Sequence, residues 1–129
     1  MRLLLDTQIL LRVIYQPGRI PAEVAAMLVD PANSIQFSAV SIAEIAIKTS
    51  LGRADFPFQP KEVSEAAQST GFGELSLTAR HARHLGTMPW HHRDPFDRLL
   101  IAQSVEDGLR FLTTDKTLGA YSDLVSVVS

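Results

Sequence analysis

Four carboxylates stand where the chain changes character. Asp6 closes the apolar run Leu3-Leu4-Leu5, Glu44 follows Ser41-Ile42-Ala43, Asp97 follows Asp94-Pro95-Phe96, and Asp115 follows Leu112-Thr113-Thr114. Each has an ordinary explanation, because acids before or within the first helical turn accept its free backbone N–H groups. Ser41-Ile42-Ala43-Glu44 fits a capping box, and Asp94-Pro95-Phe96-Asp97 reads as cap, first-turn proline and acid at the third position. As a set they have a second explanation. Carboxylates gathered at one place repel one another and take up protons unless a cation neutralises them. The cations suited to such oxygen donors are Mg²⁺ and Mn²⁺, which keep open positions for a phosphate and a nucleophilic water.

Whether the acids meet depends on the elements that carry them. Residues 2–5 read as a short buried strand, and Asp6-Thr7 ends it and caps a helix over 8–15. Gln16-Pro17-Gly18 stops that helix, and Pro21 stands at the first position of the next, over 22–30. A strand is predicted over 34–38, a helix over 41–51 with Gly52 in the C-terminal capping position, and a helix opened by Pro60 that ends near Gly71. A brief strand over 74–77, a helix capped by Thr78 and a helix over 95–107 closed by Gly108 follow. A strand over 109–113, a short helix over 116–121 and a last strand over 124–128 complete the chain. Strands alternating with helices predict a parallel sheet covered on both faces. In such sheets the carboxyl ends of the strands border the ligand crevice. Asp6 and Asp115 follow strands, and Glu44 and Asp97 sit at helix starts facing the same edge, so the topology predicts their convergence.

The composition narrows the classes. At 129 residues, 46% hydrophobic and 20% charged, the chain reads as one globular domain with a core of its own. The absence of cysteine removes disulfides and thiolate metal sites and agrees with a reducing, cytoplasmic setting. The apolar run at the N-terminus ends after three residues, too soon for a secretory signal, and no stretch suits a membrane span. A net charge of −2 does not advertise a polyanion binder, so a nucleic-acid partner would need local basic residues or a metal.

The successive segments Leu3-Leu4-Leu5-Asp6-Thr7, Ser41-Ile42-Ala43-Glu44-Ile45, Asp94 to Gln103 and Leu112-Thr113-Thr114-Asp115 resemble, in order and over nearly the whole chain, the signatures of PIN-domain proteins. The segment from Arg93 to Gln103 resembles in particular VapC-type toxins of bacterial toxin–antitoxin modules. The resemblance implies an α/β/α sandwich with a central parallel sheet and a Mg²⁺- or Mn²⁺-dependent ribonuclease site. Carried over, the acidic set is Asp6, Glu44, Asp97 and Asp115, with Asp6 and Asp97 holding the metal directly and the other two directly or through water. Asp94 matches the capping role, and Thr113 the hydroxyl residue commonly near the last acid. Thr7 and Thr113 would orient a carboxylate or a water. The chain departs from the pattern at Gln8, where relatives often carry His, and at Ala43, where an aromatic is frequent; neither position is an acid. A neutralising antitoxin protein and a homodimer are further implications.

Arg12, Lys48, Arg93, Arg98 and Lys116 lie within a helical turn or two of the acids and are candidate phosphate contacts. His91 and His92 are candidates for proton transfer or an RNA contact, whereas Trp90 reads as a packing or interface residue. Two other classes compete. A receiver-type signalling domain also gathers acids at strand ends but needs an acidic pair before its first loop and an Asp after a central strand, and the strand ending at Ser38 has none. A haloacid-dehalogenase-like phosphatase needs a second Asp two residues after the first, where this chain has Gln8. Within the resemblance, the competitor is a catalytically silent module that binds RNA or an antitoxin.

Overall fold

The computed structural model describes residues 1–129. Five strands, β1 (Arg2–Leu5), β2 (Ser34–Ser38), β3 (Gly73–Leu75), β4 (Arg110–Thr113) and β5 (Val125–Val127), form one sheet in the order β3-β2-β1-β4-β5. All four pairings are parallel. Such pairings need crossovers; six helices lie in those from β1 to β4, namely α1 (Thr7–Tyr15), α2 (Ala22–Val29), α3 (Ala39–Ser50), α4 (Pro60–Ser69), α5 (Ala79–His84) and α6 (Pro95–Asp107), and a 3₁₀ helix (Lys116–Tyr121) lies between β4 and β5. The result is the α/β/α sandwich with a central parallel sheet that the sequence leads one to expect.

β1 lies in the middle, and its three leucines are fully buried on both faces. Leu3 and Leu5 join Ile9, Leu10, Phe37, Ile45, Val63 and Leu112 on one side, while Leu4 joins Leu100, Ile101, Leu109 and Phe111 on the other. The alternation is the period of a strand. A central strand buried on both faces reads as the unbroken apolar run seen here. Burial on this scale stabilises by about 1.5–3 kcal/mol per large side chain, which fixes where β1 stops and therefore where Asp6 stands.

Several boundaries differ from expectation. The helix expected to start at Ser41 starts at Ala39, with the Ser38 hydroxyl accepting from the Val40 N–H at 2.9 Å. Glu44 is therefore not at the third position, and the Ser41–Glu44 capping box is not formed. Ser38 is fully buried and bonded to Gln103 of α6, a long-range contact that selects it as the cap over Ser41. Pro21 precedes α2 as its cap instead of opening it, the strand expected over 74–77 covers Gly73–Leu75, and α4 ends at Ser69. The last helix, Lys116–Tyr121, is a 3₁₀ helix, as are the short turns Pro17–Arg19 and Leu85–Thr87. Gly108 ends α6 in the left-handed conformation, with φ 68°, as its place after Asp107 suggests. No helix is long and apolar enough to cross a membrane.

Candidate active site

The carboxyl edge of the sheet brings together Asp6, Glu44, Asp97 and Asp115, each presented by a different element. Asp6 caps α1: one carboxylate oxygen accepts from the Ile9 N–H at 2.7 Å and the other from the Thr113 hydroxyl at 2.6 Å. The Asp6 N–H also bonds to Leu112 O of β4, so β1 and β4 hold the residue from both ends. Asp115 caps the 3₁₀ helix, its Oδ1 accepting from the N–H and hydroxyl of Thr117 at 2.9 and 2.7 Å. Asp94 caps α6, accepting from the Phe96 and Asp97 N–H groups. Asp97 occupies the third position of α6.

Glu44 reaches the cluster from within α3. Its Oε1 lies 2.8 Å from the Thr7 hydroxyl, which is also 2.9 Å from the Ser41 hydroxyl. Thr7 has one proton, so it donates to the carboxylate and accepts from Ser41. Oε2 of Glu44 is paired with Lys48 at 2.6 Å. Ser41 and Glu44 thus meet through Thr7 and not through a helix cap.

Electrostatics separates the acids. Asp97 accepts no hydrogen bond from the protein, unlike the other three. Burial first, then the negative charges of Asp94, Glu44, Asp6 and Asp115, push its pKa up to about 7. Burial also raises Asp6, against the lowering effect of its Thr113 and backbone bonds. Asp115, held chiefly by Thr117, lies below the ordinary carboxylate value. The cluster therefore carries charge that its own hydrogen bonds leave uncompensated, centred on Asp97.

His92, only one of two histidines noted in its loop from sequence, enters this cluster. Its Nε2 lies 3.4 Å from Asp115 Oδ2 and 3.9 Å from Asp97 Oδ2. The three ligand atoms of His92, Asp97 and Asp115 fall within 4.8 Å of one another, a spacing compatible with a shared ion. The ring's hydrogen bonding argues for a narrower donor set. Nδ1 of His92 accepts the Asp94 N–H at 3.0 Å, so the proton of the neutral ring sits on Nε2, which then donates toward the acids and has no lone pair for a metal. The donors left in that group are the carboxylate oxygens of Asp97 and Asp115, hard ligands of the kind that suits Mg²⁺ or Mn²⁺. His91 lies outside the cluster, its ring edge-on to Tyr121.

The candidate basic residues divide. Arg12 and Lys48 border adjoining hollows on the α1 side of the acids, with cavities of about 290 and 150 Å³. Arg19 and Arg53, which no sequence signal singled out, line the same cleft with Gln8 and Phe56, leaving Asp55 as its one acid. Arg93 and Lys116 are exposed on the other side. Arg98 is not available to a substrate phosphate. It is buried, its guanidinium donating to Pro89 O at 2.8 Å, the Tyr121 hydroxyl at 3.1 Å and Leu85 O at 3.4 Å, with Trp90 over it. An arginine in the first turn after an acid looks like a phosphate contact in sequence; here it turns inward to tie the preceding loop to α6.

A parallel α/β/α sandwich with acids clustered at its carboxyl edge places oxygen donors where open α/β sheets bind their ligands. The chain belongs to the PIN-domain family, whose model matches residues 3–124 and whose members are generally nucleases. Among solved structures it is similar to VapBC2 from Rickettsia felis, crystallised with a DNA fragment from their promoter, at a TM-score of 0.70 and 14% identity over 97% of this chain and 96% of that one. It is also similar to VapBC-1 from nontypeable Haemophilus influenzae, at 0.60 and 18% over 89% and 87%. At these identities the likeness is one of fold. No curated protein sequence matches the chain.

Proposed function

We propose that this protein, acting as one domain over residues 1–129, is a Mg²⁺- or Mn²⁺-dependent endoribonuclease of the VapC toxin type. The observation that carries the proposal is Asp97: a carboxylate without a hydrogen-bond donor, whose burial first and four neighbouring acids second push its pKa up to about 7. A site built to work with its own side chains alone would have no reason to leave it so. A divalent cation removes that repulsion. Its chemistry, when bound, is to polarise the phosphate and lower the pKa of an attacking water.

The chain's own residues divide the remaining work. Asp97, Asp115 and Asp6 would hold the cation. Thr113 aims Asp6 by donating to it, and Thr7 aims Glu44, which is also paired with Lys48. The Nε2–H of His92 is directed at the space between Asp97 and Asp115, where it would hydrogen-bond a phosphate oxygen. Arg12, Arg19, Lys48 and Arg53 would carry the RNA backbone into the site on one side, and Arg93 and Lys116 on the other, which offsets a net charge of −2.

RNA as substrate, a neutralising antitoxin and cytoplasmic action are part of this proposal; the resemblance to VapC-type toxins supports them, and the like fold of two VapBC structures supports the antitoxin partner. A homodimer belongs to the same proposal. Its surface would be the apolar hollow of about 280 Å³ lined by Ala39, Val40, Ala43, Leu77, Phe96 and Leu99. The test is cleavage of single-stranded RNA by the purified chain with Mg²⁺, Mn²⁺ or chelator, beside Asp97→Asn. Metal-stimulated cleavage lost in the variant supports the proposal; binding of RNA without any cleavage would make the chain a silent module.

A further inference from the structure

Trp90 is the only tryptophan of the chain and is 77% exposed, yet it is held in place. One face of its ring lies on the Arg98 guanidinium, 3.9 Å from the ring centre. Arg98 is itself only 3% exposed and fixed by Pro89, Leu85 and Tyr121. Since most of the indole surface is open while one face is covered, the other face is bare.

The same hub sets the active site. The Tyr121 hydroxyl that accepts from Arg98 also accepts the His92 N–H at 2.7 Å. Trp90 is thus tied, through Arg98 and Tyr121, to the histidine that faces Asp97 and Asp115. Beside it lies a hollow of about 320 Å³ bordered by Leu85, Gly86, Trp90, Arg93, Pro95 and Arg98. Two of those residues are arginines and no acid is among them. A bare aromatic face backed by a buried guanidinium, with the exposed Arg93 beside it, suits a flat, π-bearing, anionic ligand better than an apolar side chain of a protein partner.

We propose that Trp90 is a stacking platform for one unpaired base of the RNA, with Arg93 on the adjoining phosphate, setting the register of the strand over the acids. The proposal deepens the nuclease reading and rests on it for the identity of the strand. Arg98 is the positioning residue, holding the ring from behind. Stacking of this kind tolerates any base, so Trp90 would fix where the strand lies without fixing its sequence.

The test uses the intrinsic fluorescence of this single indole in the full chain, with chelator present so that nothing is cut. Single-stranded oligo-A and oligo-U are titrated in, and inorganic polyphosphate serves as a base-free control. Saturable quenching by both RNAs and none by polyphosphate is expected. Followed by anisotropy of labelled RNA, Trp90→Leu should weaken binding ~5- to 150-fold and Trp90→Phe much less, since Leu covers Arg98 but cannot stack. Equal quenching by polyphosphate, unchanged affinity of Trp90→Leu, or emission that follows protein concentration instead of RNA would overturn the proposal; the last would assign Trp90 to contacts between copies. Cleavage in Mg²⁺ is read separately. Quenching without cleavage would contradict the nuclease reading alone, and cleavage unchanged in Trp90→Leu would contradict the platform alone.

Discussion

Removing the charge of Asp97 should make the metal-free protein more stable at neutral and alkaline pH. Its pKa is about 7 in the folded chain against an ordinary value of 3.8. The native state therefore binds this proton more tightly than the unfolded state. Stability is lost as pH rises from about 4 to about 7, and above that the whole penalty is present. At about 1.4 kcal/mol per pH unit the difference corresponds to about 4 kcal/mol. The side chain keeps 22% of its surface in water, and screening leaves ~2 kcal/mol as the expected effect. Asp97→Asn gives up no hydrogen bond that the carboxylate makes, so little opposes the gain. In chelator, the variant should melt higher than the parent at pH 8, by ~7 °C for a chain of this size, and the advantage should vanish near pH 4. Millimolar Mg²⁺ should raise the parent's melting temperature and narrow the gap, because a ligand that binds only the native state stabilises it. Equal melting of the two proteins at pH 8, or a larger gap at pH 4 than at pH 8, would refute the electrostatic reasoning.

Other perturbations separate support from chemistry. Thr113→Val removes the donor to Asp6, so the Asp6 pKa should rise further and the acid limb of the pH–rate profile should move to higher pH, with kcat reduced at pH 7. Arg98→Met should cost ~2–4 kcal/mol in urea unfolding, since it strips donors from Pro89 O, Leu85 O and the Tyr121 hydroxyl. Arg53→Ala should leave stability unchanged but reduce the slope of log K against log[salt] for single-stranded RNA by ~0.7, the expectation for one lost phosphate contact. Gly108→Ala, at φ 68°, should lower stability by ~1 kcal/mol without touching activity.

The strands and the acids after them were the most legible part of the chain. Leu3-Leu4-Leu5-Asp6 and Phe111-Leu112-Thr113 announce themselves because a strand buried on both faces must be continuously apolar and must stop at the first residue that needs solvent or a partner. Asp94 and Asp97 were legible as cap and third-position acid because proline between them fixes the start of α6. Glu44 was brought to the right edge by the wrong local route. Both Ser38 and Ser41 suit a cap, and the choice falls to Gln103, sixty-five positions away, which no local pattern reveals. Arg98 failed for a related reason: whether an arginine turns to solvent or to a buried carbonyl depends on a loop whose path the sequence leaves open. His92 was visible as a residue but not as a directed donor, because its tautomer is set by the Asp94 N–H and its aim by Tyr121. The cations Arg19 and Arg53 line a cleft formed between α1 and the segment before α4, so only the folded arrangement brings them together.

The central claim is that Asp97 and its neighbours work with a divalent cation to cut RNA. Its most direct test is the rate of cleavage of single-stranded RNA by parent and Asp97→Asn proteins, each titrated with Mn²⁺ from a chelated state. The account predicts no cleavage in chelator, saturable activation of the parent, and a loss of at least ~100-fold in the variant at every metal concentration. Cleavage by the parent that persists in chelator, or a variant that cuts as fast as the parent, would contradict it.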